Sequence, residues 1–175
     1  MPTVVHWEVK DLPQLQVVGK GMRVQFRAVQ GPENPLPEFW DQCFADGTMS
    51  TLDAMTDHHL DSSYVGWMGE WDDESQEFLY IVGMLLDADA PVPRGFDLRV
   101  IEPCQVFISW VHGPESRIFS SAHTLSAKML NEQGYVYDET AGWSMELYNC
   151  PRFTDPDANG ELILDYYLPC RRADS

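Results

Sequence analysis

The chain has 175 residues, 44% hydrophobic and 22% charged, which excludes a disordered segment and fits one domain of ordinary size. Its 11 basic residues against 28 acidic ones give a formal charge of -17, which repels phosphate backbones and argues against direct nucleic-acid binding. The opening MPTVVHWEVKDLPQ lacks a basic flank followed by an apolar core, and no apolar run approaches membrane-spanning length, so a cytoplasmic protein with no membrane contact is expected.

Residues 16–19 and 22–26 suggest a first strand, bulged at Gly19 and Gly21. Residues 31–35, with two prolines and a glycine, break it, and residues 36–44 read as a helix with Leu36, Phe39, Trp40 and Cys43 at helical spacing. Trp40 belongs to that apolar stripe and is expected in the core. A second short helix is expected at 49–55, then strands at 63–68 and 77–85 joined by the acidic loop 70–75. Residues 88–95 form a Pro- and Gly-containing break near the midpoint. The second half repeats the order, with a strand at 104–111, a His112-Gly113-Pro114 turn and a helix at 117–132. Ile118, Ala122, Leu125 and Met129 fall near one face of that helix, and Gly134 ends it. Strands at 143–148 and 161–168 follow, linked by residues 155–160. Each half reads strand, helix, strand, strand, which makes an α+β protein of antiparallel sheet with one main helix per half.

Cys43, Cys104, Cys150 and Cys170 are scattered without zinc-ligand spacing and read as free thiols, with two disulfides the alternative their number allows. Asp57-His58-His59-Leu60-Asp61 is rich in ligand types, but adjacent His side chains diverge and no third partner has metal-site spacing; it reads as a polar loop, with no metal or cofactor expected. No GxSxG, Walker or GxGxxG pattern occurs. Within Gly142-Trp143-Ser144-Met145-Glu146-Leu147-Tyr148-Asn149-Cys150, strand alternation sends Ser144, Glu146 and Tyr148 to one face. That face is either solvated or turned toward something that wants a negative charge.

The ordered set of segments resembles the GyrI-like effector-binding domain family, found alone and as the ligand-binding half of AraC-type and MerR-type multidrug regulators. The resemblance is carried by Leu15-Gln16-Val17-Val18-Gly19, Glu38-Phe39-Trp40-Asp41-Gln42-Cys43-Phe44 and the pair Tyr64-Val65-Gly66 with Phe78-Leu79-Tyr80-Ile81-Val82-Gly83. It continues through Phe107-Ile108-Ser109-Trp110-Val111-His112-Gly113-Pro114, Met145-Glu146-Leu147-Tyr148 and Tyr166-Tyr167-Leu168-Pro169. It implies one domain over 1–175 built from half-repeats of approximately 1–90 and 95–175. These would be strand-helix-strand-strand modules with pseudo-twofold symmetry and a central, aromatic-lined ligand cleft. Glu146 falls where the family often carries an acidic residue at the pocket floor, paired with organic cations. Tyr148 shares its strand face, and Trp67, Tyr80, Trp110 and Tyr166 are candidates for the walls, with core packing the competing reading for each.

Three functions fit these residues. The first is binding of amphipathic, aromatic, cationic small molecules, for sensing or sequestration. The second, implied by the resemblance, is hydrolysis of strained electrophiles such as cyclopropane-bearing genotoxins, with Glu146 as general base and Tyr80 polarising a carbonyl. The third is a protein partner, either a regulator or DNA gyrase. No helix-turn-helix segment fits ahead of residue 15, so a regulatory role is expected to need a separate protein.

Overall fold

In the computed structural model, which describes residues 1–174, Gly19 and Gly83 lie opposite each other on neighbouring antiparallel strands. A Cβ on Gly19 would stand 1.9 Å from the Val82 carbonyl oxygen, so only glycine permits this approach. The two strands are β2 (Leu15–Gln25) and β4 (Glu77–Asp87), paired without a register shift from end to end. The bulge expected at Gly19 and Gly21 is therefore absent from this ladder: Gly19 relieves crowding between backbones, whereas a Cβ on Gly21 would meet the Leu79, Asp97 and Ile81 side chains.

The chain divides into two compact units, a middle unit of Gln14–Glu102 and a terminal unit of Met1–Pro13 with the chain from Pro103 on. In the middle unit β3 (His59–Asp72) pairs with β4, β4 with β2, and β2 with β5 (Asp97–Ile101), all antiparallel. After β2 come a single turn of helix, α1 (Phe26–Val29), then α2 (Leu36–Ala45) and α3 (Thr48–Asp53). Leu36, Phe39 and Cys43 of α2 and Met49 and Leu52 of α3 join a core with Val18, Val24, Phe78, Tyr80, Val82, Met84 and Leu86. The alternating strand positions show why: every second residue of β4 meets the helices.

In the terminal unit β1 (Thr3–Leu12) pairs with β6 (Cys104–Pro114), β6 with β9 (Glu161–Arg172), and β9 with β8 (Trp143–Tyr148), again antiparallel. A short β7 (Tyr135–Tyr137) pairs with the end of β9. Helix α4 (Glu115–Glu132) buries Ile118, Ala122, Ser126 and Leu130, one residue per turn. The expected stripe shared its first two members; Leu125 and Met129 sit at its margins, half-buried. Gly134, at φ +86°, ends the helix in the left-handed conformation.

Each unit thus has the same plan: strand, helix, and two strands ending beside the first, plus an outer strand. That outer strand is exchanged in sequence. β1 precedes β2 but pairs with β6, and β5 precedes β6 but pairs with β2.

Several boundaries differ from the sequence reading. β3 continues to Asp72 through an irregular pairing in which Glu70 takes φ +54°, so residues 70–72 are strand rather than loop. His112-Gly113-Pro114 stays in β6, paired with Ile163, Leu162 and Glu161, instead of turning. β1, β5 and β7 were not anticipated. β1 was overlooked although residues 5–10 alternate apolar and polar, β5 has five residues, and β7 has three, too few to show a pattern.

Candidate functional site

In the terminal unit, Glu146 on β8 and Tyr166 on β9 are direct cross-strand partners and so share a sheet face. Ser144 and Tyr148, two positions either side of Glu146, share it too. The α4 residues Phe119 and His123 meet this face: Phe119 packs against Tyr148, and the His123 ring lies edge-on to Tyr166.

Glu146 is only 9% exposed in a chain whose acidic residues are otherwise mostly at the surface. Its Oε2 accepts a hydrogen bond of 2.5 Å from the Tyr148 hydroxyl. A buried carboxylate is costly unless hydrogen-bonded or paired, and this short charge-assisted bond meets part of that cost. From Tyr148 an aromatic wall extends. The Tyr148 ring contacts Phe153 at 4.9 Å between centroids, and Phe119 contacts both at 6.3 and 6.0 Å. Phe119 is 41% exposed and Tyr148 and Phe153 are half-buried, so the wall presents aromatic surface next to a withdrawn negative charge.

Behind this wall runs a hydrogen-bonded chain. The Tyr166 hydroxyl donates to Ser144 Oγ at 3.2 Å and meets His123 Nδ1 at 2.9 Å. With the Tyr166 hydrogen directed to Ser144, His123 carries its own hydrogen on Nδ1. Burial pushes the Tyr166 phenol well above its ordinary value; Ser144 opposes this and the neighbouring Glu146 adds to it. Desolvation holds the His123 imidazole below its ordinary 6.5, although the side chain keeps access to solvent.

The remaining predicted residues fall elsewhere. Trp110 is the cross-strand partner of Asp165, so it lies on the sheet face opposite Glu146 and Tyr166. There it packs against His6, and the Arg152 guanidinium sits 4.0 Å from its ring. In the middle unit Tyr80 faces the helices and its hydroxyl accepts from Trp40 Nε1 at 3.1 Å. Trp40 is therefore at the core margin with a polar bond to Tyr80, stacked on Phe44. Trp67 pairs with Ile81 and Tyr80 with Met68, so these two rings point to opposite faces of their sheet. Trp67 is 5% exposed, and its buried Nε1 has no hydrogen-bond partner.

Two residues that shape the site, Phe119 and Phe153, were missed by sequence reasoning. Phe119 follows the buried Ile118 on α4, and its helical position one turn before His123 was the available signal. Phe153 lies in a loop, where no periodicity marks it. Of the expected polar loop, His58 bonds Asp87 and His59 bonds the Leu52 carbonyl. Among the described residues, His112, Asp157 and Glu161 bring one ligand-type atom each within 4.8 Å. Asp157 there already accepts the Asn159 and Glu161 amides, and His112 bonds it at 2.8 Å, so the group reads as a clasp closing the β8–β9 loop. Surface hollows of about 540 and 320 Å³ lie elsewhere, lined by residues 136–140 with Arg171 and by residues 25–27 with 75–76. All four cysteines are free, and no helix among the described residues is long and apolar enough to cross a membrane.

An aromatic wall beside a withdrawn carboxylate is a surface chemically suited to an apolar or cationic small molecule. The sequence matches the model of the GyrI-like small molecule binding domain over residues 7–171, and the chain belongs to that family. Solved structures agree in fold. A Staphylococcus aureus MU50 protein superposes with a TM-score of 0.66 at 14% identity, covering 95% of this chain and 98% of that one. SAV2435 bound to tetraphenylphosphonium superposes equally well, at 0.66 and 13% identity, over 95% and 94% of the two chains. The EcmrR C-terminal domain follows at 0.54 and 13% identity, over 95% and 98%. No curated protein matches the sequence.

Proposed function

We propose that this domain captures lipophilic aromatic cations, with Glu146 as the charge partner and Tyr148, Phe119 and Phe153 as the apolar wall. The observation that carries the reading is Glu146 itself, 9% exposed and bonded to the Tyr148 hydroxyl, whose ring contacts Phe119 and Phe153. A bound cation offsets the desolvation of the carboxylate. The aromatic faces add dispersion and about 0.5–2 kcal/mol of cation–π attraction per well-placed ring. Tyr166 supports the floor beside Glu146, whereas Trp110, on the other face of the sheet, stands outside the contact set. The tetraphenylphosphonium held by SAV2435 is a ligand of this chemical kind.

The test is thermal and spectroscopic. Tetraphenylphosphonium at about 100 times its dissociation constant raises stability by about 2.7 kcal/mol through mass action, visible as a higher melting temperature. A neutral triphenyl compound gives a smaller rise. Equal responses to both would refute the role assigned to charge.

A further inference from the structure

The loop between β8 and β9 sends consecutive side chains to opposite sides of the sheet. Arg152 reaches Asp165, on the face away from Glu146, through Nε at 3.1 Å and Nη2 at 2.6 Å. Phe153, the next residue, turns to the other side and packs on Tyr148 and Phe119. The Arg152 guanidinium also lies 4.0 Å over the Trp110 ring, and its carbonyl accepts the Ile163 amide at 3.0 Å, so Asp165, Trp110 and Ile163 all hold this one residue.

Asp165 is 2% exposed, and a buried ion pair of this kind is a weak source of net stability, since desolvation consumes most of its Coulomb gain. Its distinctive property is geometry. A planar guanidinium gripping a carboxylate through two parallel bonds, with an indole beneath it, permits one orientation. Without that grip, a twelve-residue loop from Asn149 to Gly160 would hold Phe153 mainly by ring contacts and short-range turns such as Phe153 N–H to the Asn149 carbonyl.

We infer that Arg152 is a positioning residue for the ligand site: clamped on Asp165 and Trp110, it sets the β8–β9 loop so that Phe153 completes the aromatic wall beside Glu146. The consequence for ligand rests on the function proposed above; the clamp itself does not. Arg152 touches no ligand and acts only through its neighbour in sequence.

The experiment compares the full chain with Arg152→Gln, Arg152→Lys, Phe153→Ala and the double variant Arg152→Gln/Phe153→Ala. Amide exchange is followed at Phe153 and Asp155, whose N–H groups bond Asn149 and Pro151, and at Tyr166 in the sheet. Unpairing the buried Asp165 lowers protection throughout the unit, and loss of the clamp speeds exchange at the two loop amides by about 10-fold more than at Tyr166; Arg152→Lys, which keeps the charge but not the fork, falls between. Tetraphenylphosphonium affinity drops by about 5-fold in Arg152→Gln, and adding Arg152→Gln to Phe153→Ala costs nothing more. Unchanged loop exchange, equal acceleration of loop and sheet, or additive affinity losses would each overturn the inference. Should Arg152→Gln fail to fold, Arg152→Lys carries the same comparisons. If the parent chain binds no tetraphenylphosphonium, the proposed function fails, and loop exchange alone still decides whether Arg152 is the clamp.

Discussion

Tyr148 and Glu146 stand two residues apart on one strand, and the tyrosine hydroxyl donates to the carboxylate along the same sheet face. The pair places a polar bond and an aromatic ring on a single short segment, so the charge and the wall beside it are built by the same strand.

Tyr148→Phe keeps the ring and removes the hydroxyl. The account expects a stability loss of about 1–3 kcal/mol, because a carboxylate hydrogen bond is lost in a buried place. Urea denaturation with an unchanged m-value measures it. A change within experimental error would show that solvent replaces the hydroxyl without cost.

Phe119→Ala removes a ring that is already 41% exposed. Stability is expected to change by less than about 1 kcal/mol, while affinity for tetraphenylphosphonium falls by about 5-fold. A large stability loss with no affinity change would mark Phe119 as core.

The pH dependence follows from His123, whose pKa desolvation holds below 6.5. In the window between its folded value and 6.5 the unfolded chain binds more protons at this site, so stability falls as pH drops through that window and levels off beneath it. His123→Gln removes this contribution. Between about pH 7.5 and about pH 5.5 the melting temperature of the parent should therefore fall further than that of the variant. Parallel curves would contradict the desolvation assigned to the ring.

Gly19→Ala places a methyl group against the Val82 carbonyl, a 1.9 Å approach that β2 and β4 must separate to relieve. A loss of about 3 kcal/mol or more is expected, read from chemical denaturation. A mild effect would mean that the two strands pair less closely than described.

The strand-helix-strand-strand order was legible because α2 and α4 carry apolar residues at helical spacing and β4 is apolar along its length. The shared face of Ser144, Glu146 and Tyr148 was equally legible, since alternation within a strand follows from chain geometry. Which face of a strand meets the helix was not. Trp110 adjoins Ser109, the partner of Tyr166, and one position of register decides whether an indole stands with Glu146 or away from it. The pairing of β1 and β5 was hidden as well: β1 alternates over residues 5–10, but both strands find their partners far along the chain, which no local pattern names. Phe153 depends on the clasp of a loop, which no local pattern encodes.

Calorimetric titration of tetraphenylphosphonium and of a neutral triphenyl analogue into the parent chain and Glu146→Gln tests the central claim most directly. Glutamine keeps the size of the side chain and its capacity to accept from Tyr148, so the fold and the neutral ligand serve as internal controls. The account predicts that the cation loses about 10-fold or more in affinity, since a desolvated charge has lost its partner, while the neutral analogue binds both proteins alike. Equal affinity of the cation for parent and variant would contradict it and leave Glu146 a carboxylate of the strand alone.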